Sequence, residues 1–249
     1  MAKLYVVPTP IGNLEDISLR ALKVIFTVPI ILAEDTRRSA NLLSYFRQQE
    51  RLLESLQLSA EHKPRYLSLH EYNEQSRIPQ VMDLLSQGQD MALLSDAGTP
   101  LISDPGFKLI RQVAHESSHQ VVPLPGPTAW VTALVGSGLP PNRVLFVGFL
   151  PAKQKARLKE LANLQLTCLK MKHVPTIVVY ESAHRLVTSL RDLAKVAGEI
   201  EIVIAQEMTK LHEKFWYLPI SQAINQFKQF KRPKGEYTLV FRFASGMGE

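Results

Sequence analysis

Chemistry-bearing side chains are densest at Ser95–Gly106, which reads Ser-Asp-Ala-Gly-Thr-Pro-Leu-Ile-Ser-Asp-Pro-Gly. Two Asp, two Gly, two Pro and three hydroxyl side chains fall within these twelve residues. A plain connection needs only about two to five residues. A long, polar, conformationally fixed loop is a typical ligand-binding element. Its acceptors, Asp96 and the loop carbonyls, suit a cationic or hydroxyl-rich ligand.

Four more clusters follow strand-like runs. Thr9-Pro-Ile-Gly12 leads into Asn13-Leu-Glu-Asp16, and Gly12 lets backbone approach a ligand closely. Ala33-Glu-Asp-Thr-Arg-Arg-Ser39 sets Glu34 and Asp35 beside Arg37 and Arg38, an arrangement that also fits a helix cap with solvated charges. Tyr180-Glu-Ser-Ala-His-Arg185 and Gln206-Glu-Met-Thr-Lys-Leu-His-Glu-Lys214 each join carboxylates (Glu181; Glu207, Glu213) to bases (His184, Arg185; Lys210, His212, Lys214). Lys228, Lys231, Arg232 and Lys234 form a basic stretch that by itself reads as a solvated face.

No G-x-G-x-x-G or G-x-S-x-G occurs. Neither His70-Glu71 nor His212-Glu213 has the second His of H-E-x-x-H, and no metal is expected. The one cysteine, Cys168, permits no internal disulfide and reads as a buried, idle thiol.

The elements that must position these clusters alternate along the chain. Strands are expected at 4–8, 30–33, 65–69, 91–95 and 120–124, each a short apolar run. Helices are expected at 18–26, capped by Asp16 or Ser18, at 74–87, stopped by Gly88, and at 107–114. The polar stretch 47–64 reads as a surface loop. This alternation predicts an α/β fold, a mostly parallel sheet with helices on both faces. Ligands in such sheets bind beyond the strands' carboxyl ends, where all the clusters lie.

The second half starts afresh. Helices are expected at 125–134, from Lys153 to Leu166, and along Leu186, Val187, Leu190 and Leu193. Strands are expected at 144–149, 176–180, 200–205 and 236–243, the last antiparallel or at an edge because its residues alternate. Two α/β domains are expected, 1–117 and 118–249, the second with a mixed sheet.

The chain is 45% hydrophobic and 21% charged, a globular composition, with a formal charge of +6 and pI about 9.4. That charge is compatible with a polyanionic partner without requiring one. The amino terminus has no cleavage site, and no apolar run reaches the roughly 18 residues of a membrane span. A cytoplasmic location with no membrane partner is expected.

These motifs, with Pro123-Leu-Pro-Gly-Pro-Thr-Ala129, Phe146-Val-Gly-Phe-Leu-Pro151 and Lys234-Gly-Glu-Tyr-Thr-Leu-Val-Phe241, occur in one order from Leu4 to Phe241. The series resembles the RsmI family, ribosomal RNA small-subunit 2′-O-ribose cytidine methyltransferases of the tetrapyrrole methylase superfamily. The resemblance implies a homodimer of two-domain chains with S-adenosyl-L-methionine folded into a cleft between the domains. It implies a cytidine of 16S rRNA in the small ribosomal subunit as substrate. By motif position, Pro10, Asp96, Thr99, Ile102, Ser103, Thr128, Ala129, Tyr180, Met208 and Thr238 would line the cofactor site. The family often has Ala and Pro where this chain has Pro8 and Ala183, and many members carry a further C-terminal helical segment.

Methyl transfer to a ribose hydroxyl needs a proton acceptor. Glu181, Lys210 and Glu34 are the candidates, with Arg37, Arg185, Lys231 and Arg232 as RNA contacts. Porphyrinogen or precorrin methylases share the expected fold but would carry Gly-Asp-Pro in place of Ser-Asp-Ala-Gly, and a diphthine synthase is disfavoured on the same ground. A catalytically silent RNA-binding module would bind no cofactor.

Overall fold

The computed structural model describes residues 1–230 and 235–243. The chain packs as two compact units, Met1–Thr128 and Ala129–Glu249.

The first unit runs β1 (Lys3–Val7), α1 (Leu19–Ile25), β2 (Ile30–Ala33), α2 (Thr36–Arg47), α3 (Glu50–Ser55), β3 (Arg65–Ser68), α4 (Glu74–Ser86), β4 (Met91–Leu94), α5 (Phe107–Glu116) and β5 (Gln120–Pro123). The strands form one sheet in the order β3-β2-β4-β1-β5, and every pairing is parallel. Strand side chains alternate between faces. Ile31, Ala33, Ala92 and Leu94 pack with α1, α2 and α3, while Ile30, Leu32, Met91 and Leu93 pack with α4 and α5. Burial on both faces explains why β2 and β4 are apolar without interruption. Ser18 is the cap of α1, accepting from Ala21 N at 3.0 Å. The stretch 47–64, expected to be all loop, contains the short helix α3, which buries Leu53.

The second unit runs α6 (Ala129–Ser137), β6 (Val144–Phe149), α7 (Gln154–Leu169), β7 (Thr176–Ser182), α8 (Leu186–Ala197), β8 (Glu201–Gln206), β9 (Lys214–Pro219), α9 (Ile220–Lys228) and β10 (Glu236–Phe241). Its sheet is mixed, ordered β6-β7-β10-β8-β9. β6 and β7 are parallel and the other pairings antiparallel. β10 is antiparallel, yet it lies inside the sheet and not at an edge, because Tyr237 to Phe241 are all buried. α7, α8 and α9 cover one face around Leu161, Leu190 and Phe227.

Between α7 and α8 lies a buried ion pair. Arg157 donates to Asp192 Oδ2 from Nε at 3.0 Å and from a terminal nitrogen at 2.7 Å. Its other terminal nitrogen reaches the carbonyls of Pro151 and Ala152. Gln154 donates to the second Asp192 oxygen. Burial favours a neutral Asp192, but its hydrogen bonds from Gln154 and Arg157 outweigh this and hold its pKa below the usual carboxylate range. Cys168 is buried in the same core, and burial pushes its thiol pKa up.

No helix among the described residues is long and apolar enough to cross a membrane.

Candidate functional site

In the first unit, the loops at the carboxyl ends of β1, β4 and β5 are bonded to one another. Thr9 and Gly98 exchange backbone hydrogen bonds at 2.9 and 3.0 Å. The Thr9 hydroxyl donates to Ser95 O, and the Ser95 hydroxyl donates to Gly98 O. A left-handed φ of 83° and a close approach to Ile11 account for glycine at position 98. The Thr99 hydroxyl lies 2.9 Å from Pro127 O and 2.6 Å from the Thr128 hydroxyl. Pro10, Asp96, Thr99, Ile102, Ser103 and Thr128 therefore all lie on this interlinked rim. At the loop's far end Gly106 offers no side chain to cap α5, and Glu74 of α4 does so instead, accepting from Lys108 N and Leu109 N at 2.7 and 3.2 Å.

Five non-glycine residues have positive φ among the described residues, and four of them bracket expected cofactor positions. Leu101 (73°) and Ser103 (69°) flank Ile102, and Glu207 (51°) and Thr209 (62°) flank Met208. Such backbone persists only where its surroundings over-determine it, and it clusters at ligand sites.

An acidic group borders the rim. Asp96 accepts from Asp35 N at 3.1 Å and pairs with Arg38 at 3.4 Å. Burial, and then the nearby charge of Asp96, raise the Glu34 pKa above the ordinary carboxylate range. Burial and the charge of Glu34 push Asp104 up to about 6. Asp104 was not singled out from the sequence, because only its burial distinguishes it. Its raised pKa means that the folded chain binds the proton more tightly than the unfolded chain. Stability is therefore fully present below the ordinary Asp pKa and is lost as pH rises through about 6. Asp104→Asn is expected to raise the melting temperature at pH 8 by about 2–4 °C, corresponding to about 1 kcal/mol after discounting partial exposure. At pH 4 the variant should match the parent. Equal melting temperatures at both pH values would show that Asp104 is not strained by ionisation.

Asp35 caps α2 through Arg37 N and holds the Arg37 guanidinium at 3.0 and 2.7 Å. Those hydrogen bonds lower Asp35 to about 2. The Arg37 side chain stays 87% exposed.

In the second unit Tyr180 on β7 faces Thr238 on β10 in register. The Tyr180 hydroxyl accepts from Trp130 N, bringing the start of α6, with Ala129, to the same place. Trp130 stacks on Phe146, which meets Tyr180 edge-on. The buried Trp130 indole N–H has no hydrogen-bond partner among the described residues. Trp130 was also missed from sequence; its one signal was adjacency to Thr128-Ala129.

Glu181 is 2% exposed. One oxygen accepts from Ser182 N at 2.7 Å, the Ser182 hydroxyl and Arg185. The other accepts from the Ser189 hydroxyl. Arg185 turns inward to Glu181, Ser182 and Leu150 O. Lys210 donates to Glu207 and Glu236, at 2.9 Å each. Burial alone would lower its pKa, but these two bonds outweigh burial and raise it. Gly235 is required beside this group, since a Cβ there would lie 2.6 Å from Glu207 Cγ. Lys231 and Arg232, expected RNA contacts, lie outside the described residues.

The profile of the tetrapyrrole (corrin/porphyrin) methylases matches residues 3–224. Ribosomal RNA small subunit methyltransferase I of Escherichia coli O157:H7 is 42% identical over 240 residues, 96% of this chain and 77% of that protein. The chain belongs to the methyltransferase I family of tetrapyrrole methylases. Its Thermotoga maritima member is also 42% identical over 240 residues, covering 96% of this chain and 98% of the relative. Solved structures of methylases share the fold. The methyltransferase CobJ superposes with a TM-score of 0.65 at 12% identity, over 100% of this chain and 97% of CobJ. The uroporphyrin-III C-methyl transferase of Thermus thermophilus, complexed with S-adenyl homocysteine, gives 0.57 at 16% identity, over 96% and 97%.

Proposed function

We propose that this protein transfers a methyl group from S-adenosyl-L-methionine to the ribose 2′-hydroxyl of a cytidine in 16S rRNA of the small ribosomal subunit. The observation that carries the reading is 42% identity, along almost the whole chain, to proteins named ribosomal RNA small subunit methyltransferase I.

The donor set fits the cofactor. Asp96 and the carbonyls of a loop tightened by Gly98 suit a cation, and the Thr99–Thr128 hydroxyl pair suits a polar ligand edge. The orphan indole N–H of Trp130 suits an acceptor. When bound, S-adenosylmethionine supplies an electrophilic methyl group on a cationic sulfur. By motif position, Pro10, Asp96, Thr99, Ile102, Ser103, Thr128, Ala129, Tyr180, Met208 and Thr238 are the residues assigned to hold it.

Glu34 takes the proton shed by the ribose hydroxyl. Of the three candidate bases it alone has a carboxylate or amine left unheld by hydrogen bonds or ion pairs among the described residues, and its raised pKa strengthens it as a base. Glu181 has both oxygens engaged in the interior, and Lys210 is held as a cation, so both are assigned to positioning. Arg37 is accessible to a phosphate; Arg185 is committed inward and holds Glu181.

A homodimer in the cytoplasm completes the reading. Exposed Val131 and Val135 on α6, with Tyr217 on β9, offer an apolar surface suited to a second copy.

Incubation with isolated small subunits and labelled S-adenosylmethionine is expected to place the label on one cytidine 2′-oxygen. No incorporation into RNA, with methylation of a porphyrinogen instead, would overturn the substrate.

A further inference from the structure

A cavity of about 280 Å³ lies wholly within the first unit. Its lining comes from the loop after β1 (Thr9, Pro10, Leu14), the outer face of α2 (Arg38, Asn41, Tyr45 among others), and Ser95 and Asp96 after β4. That size is at the lower edge of the range for small-molecule pockets.

Three of its side chains sit at positions 38, 41 and 45 of α2, spacing that places them on one helix face. Tyr45 is 41% exposed and lines the cavity, so its ring is accessible to an occupant. Its ring meets buried Phe46 edge-on at 5.1 Å and 87°, which fixes its plane. Asn41 is exposed, and no partner holds its amide among the described residues. Pro10, Leu14 and Leu42 make the wall apolar, while the buried hydroxyls of Thr9 and Ser95 lie at its base.

This combination matches one compact ligand class. A fixed aromatic face stacks on a nucleobase, an amide offers a donor and an acceptor side by side, and Arg38 supplies positive charge. Asp96 joins the cavity to the acidic group, because it lines the wall and its charge acts on Glu34.

We propose that this cavity receives the target pyrimidine nucleotide, turned out of the RNA stack, with Tyr45 as its stacking platform and Asn41 as the group that reads its base edge. The assignment rests on the methyl-transfer reading above and adds to it the residues that select the base. An RNA base is reached in this way only when it is unstacked.

The test uses the full chain with isolated small subunits, alongside calorimetry with S-adenosylmethionine. Tyr45→Ala is expected to lower kcat/KM for the RNA by about 10- to 100-fold, the worth of one base stack, and Asn41→Ala by about 10-fold, the worth of a lost hydrogen bond. Cofactor affinity should stay at the parent value, and Tyr45→Phe should restore most of the activity lost in Tyr45→Ala. Both side chains are exposed, so folding is retained, and unchanged melting temperatures confirm it. If the parent methylates small subunits but the variants keep full kcat/KM, the pocket assignment is overturned and the functional reading stands. If cofactor affinity falls in step with activity, the cavity belongs to the cofactor and the assignment is again overturned. A parent that transfers no methyl to small subunits overturns the functional reading itself.

Discussion

Glu34→Gln is expected to slow methyl transfer to small ribosomal subunits by about 100- to 10,000-fold, the usual worth of a positioned proton acceptor. Glutamine keeps the size and removes the basicity. Glu34 makes no hydrogen bond among the described residues that would be lost, so S-adenosylmethionine should bind the variant as it binds the parent. The parent should also lose activity as pH falls through the raised Glu34 pKa, because only the ionised carboxylate accepts a proton. That acid limb should vanish in the residual activity of Glu34→Gln. Rapid-quench turnover at saturating cofactor, across pH, measures both effects. A variant as fast as the parent removes Glu34 from the chemistry.

The largest expected effect on stability belongs to Asp192→Ala. Asp192 is fully buried, and its removal leaves the Arg157 guanidinium, only 2% exposed, without its counter-charge. Breaking a buried pair from one side costs about 3–5 kcal/mol, which for a chain of this size lowers the melting temperature by about 10 °C. Replacing both partners, Arg157→Met with Asp192→Leu, should recover most of the loss, since no charge is then stranded. Thermal unfolding of the single and double variants decides the matter. A single variant that melts with the parent would show that solvent reaches Arg157.

The architecture was legible where burial is symmetric. Ile30–Ala33 and Met91–Leu94 are apolar because each is buried on both faces, and such runs announce strands directly. β9 and α9 escaped notice. Lys214–Pro219 is half exposed along its length at the sheet edge, and its apolar run Phe215–Leu218 is short and directly follows a charged stretch. α9 begins directly after Pro219 with no side-chain cap. Placement of β10 inside the sheet depends on β7 and β8, which are distant in sequence.

The site was legible as a set of loops and not as a set of roles. Glu34, Glu181 and Lys210 look equivalent as letters beside basic residues. They separate only in three dimensions, where Ser189 comes from the next helix to close over Glu181 and Glu236 comes from β10 to hold Lys210. Asp104 shares a loop with Asp96, and its burial beside Glu34 is what sets it apart. Tyr45 carried no motif at all; its exposure in a cavity is what marks it.

Leu101, Ser103, Glu207 and Thr209 hold left-handed backbone without the freedom of glycine, so both loops are shaped before a ligand arrives. Association then forfeits little chain entropy in them, which is the benefit of a preorganised receptor. The folded state carries the strain instead, of order 1–3 kcal/mol at each such residue. Glycine at any of the four would relax the backbone while loosening the loop. These positions therefore set thermal stability against recognition, and variants selected for heat resistance alone would be drawn to them at the expense of affinity.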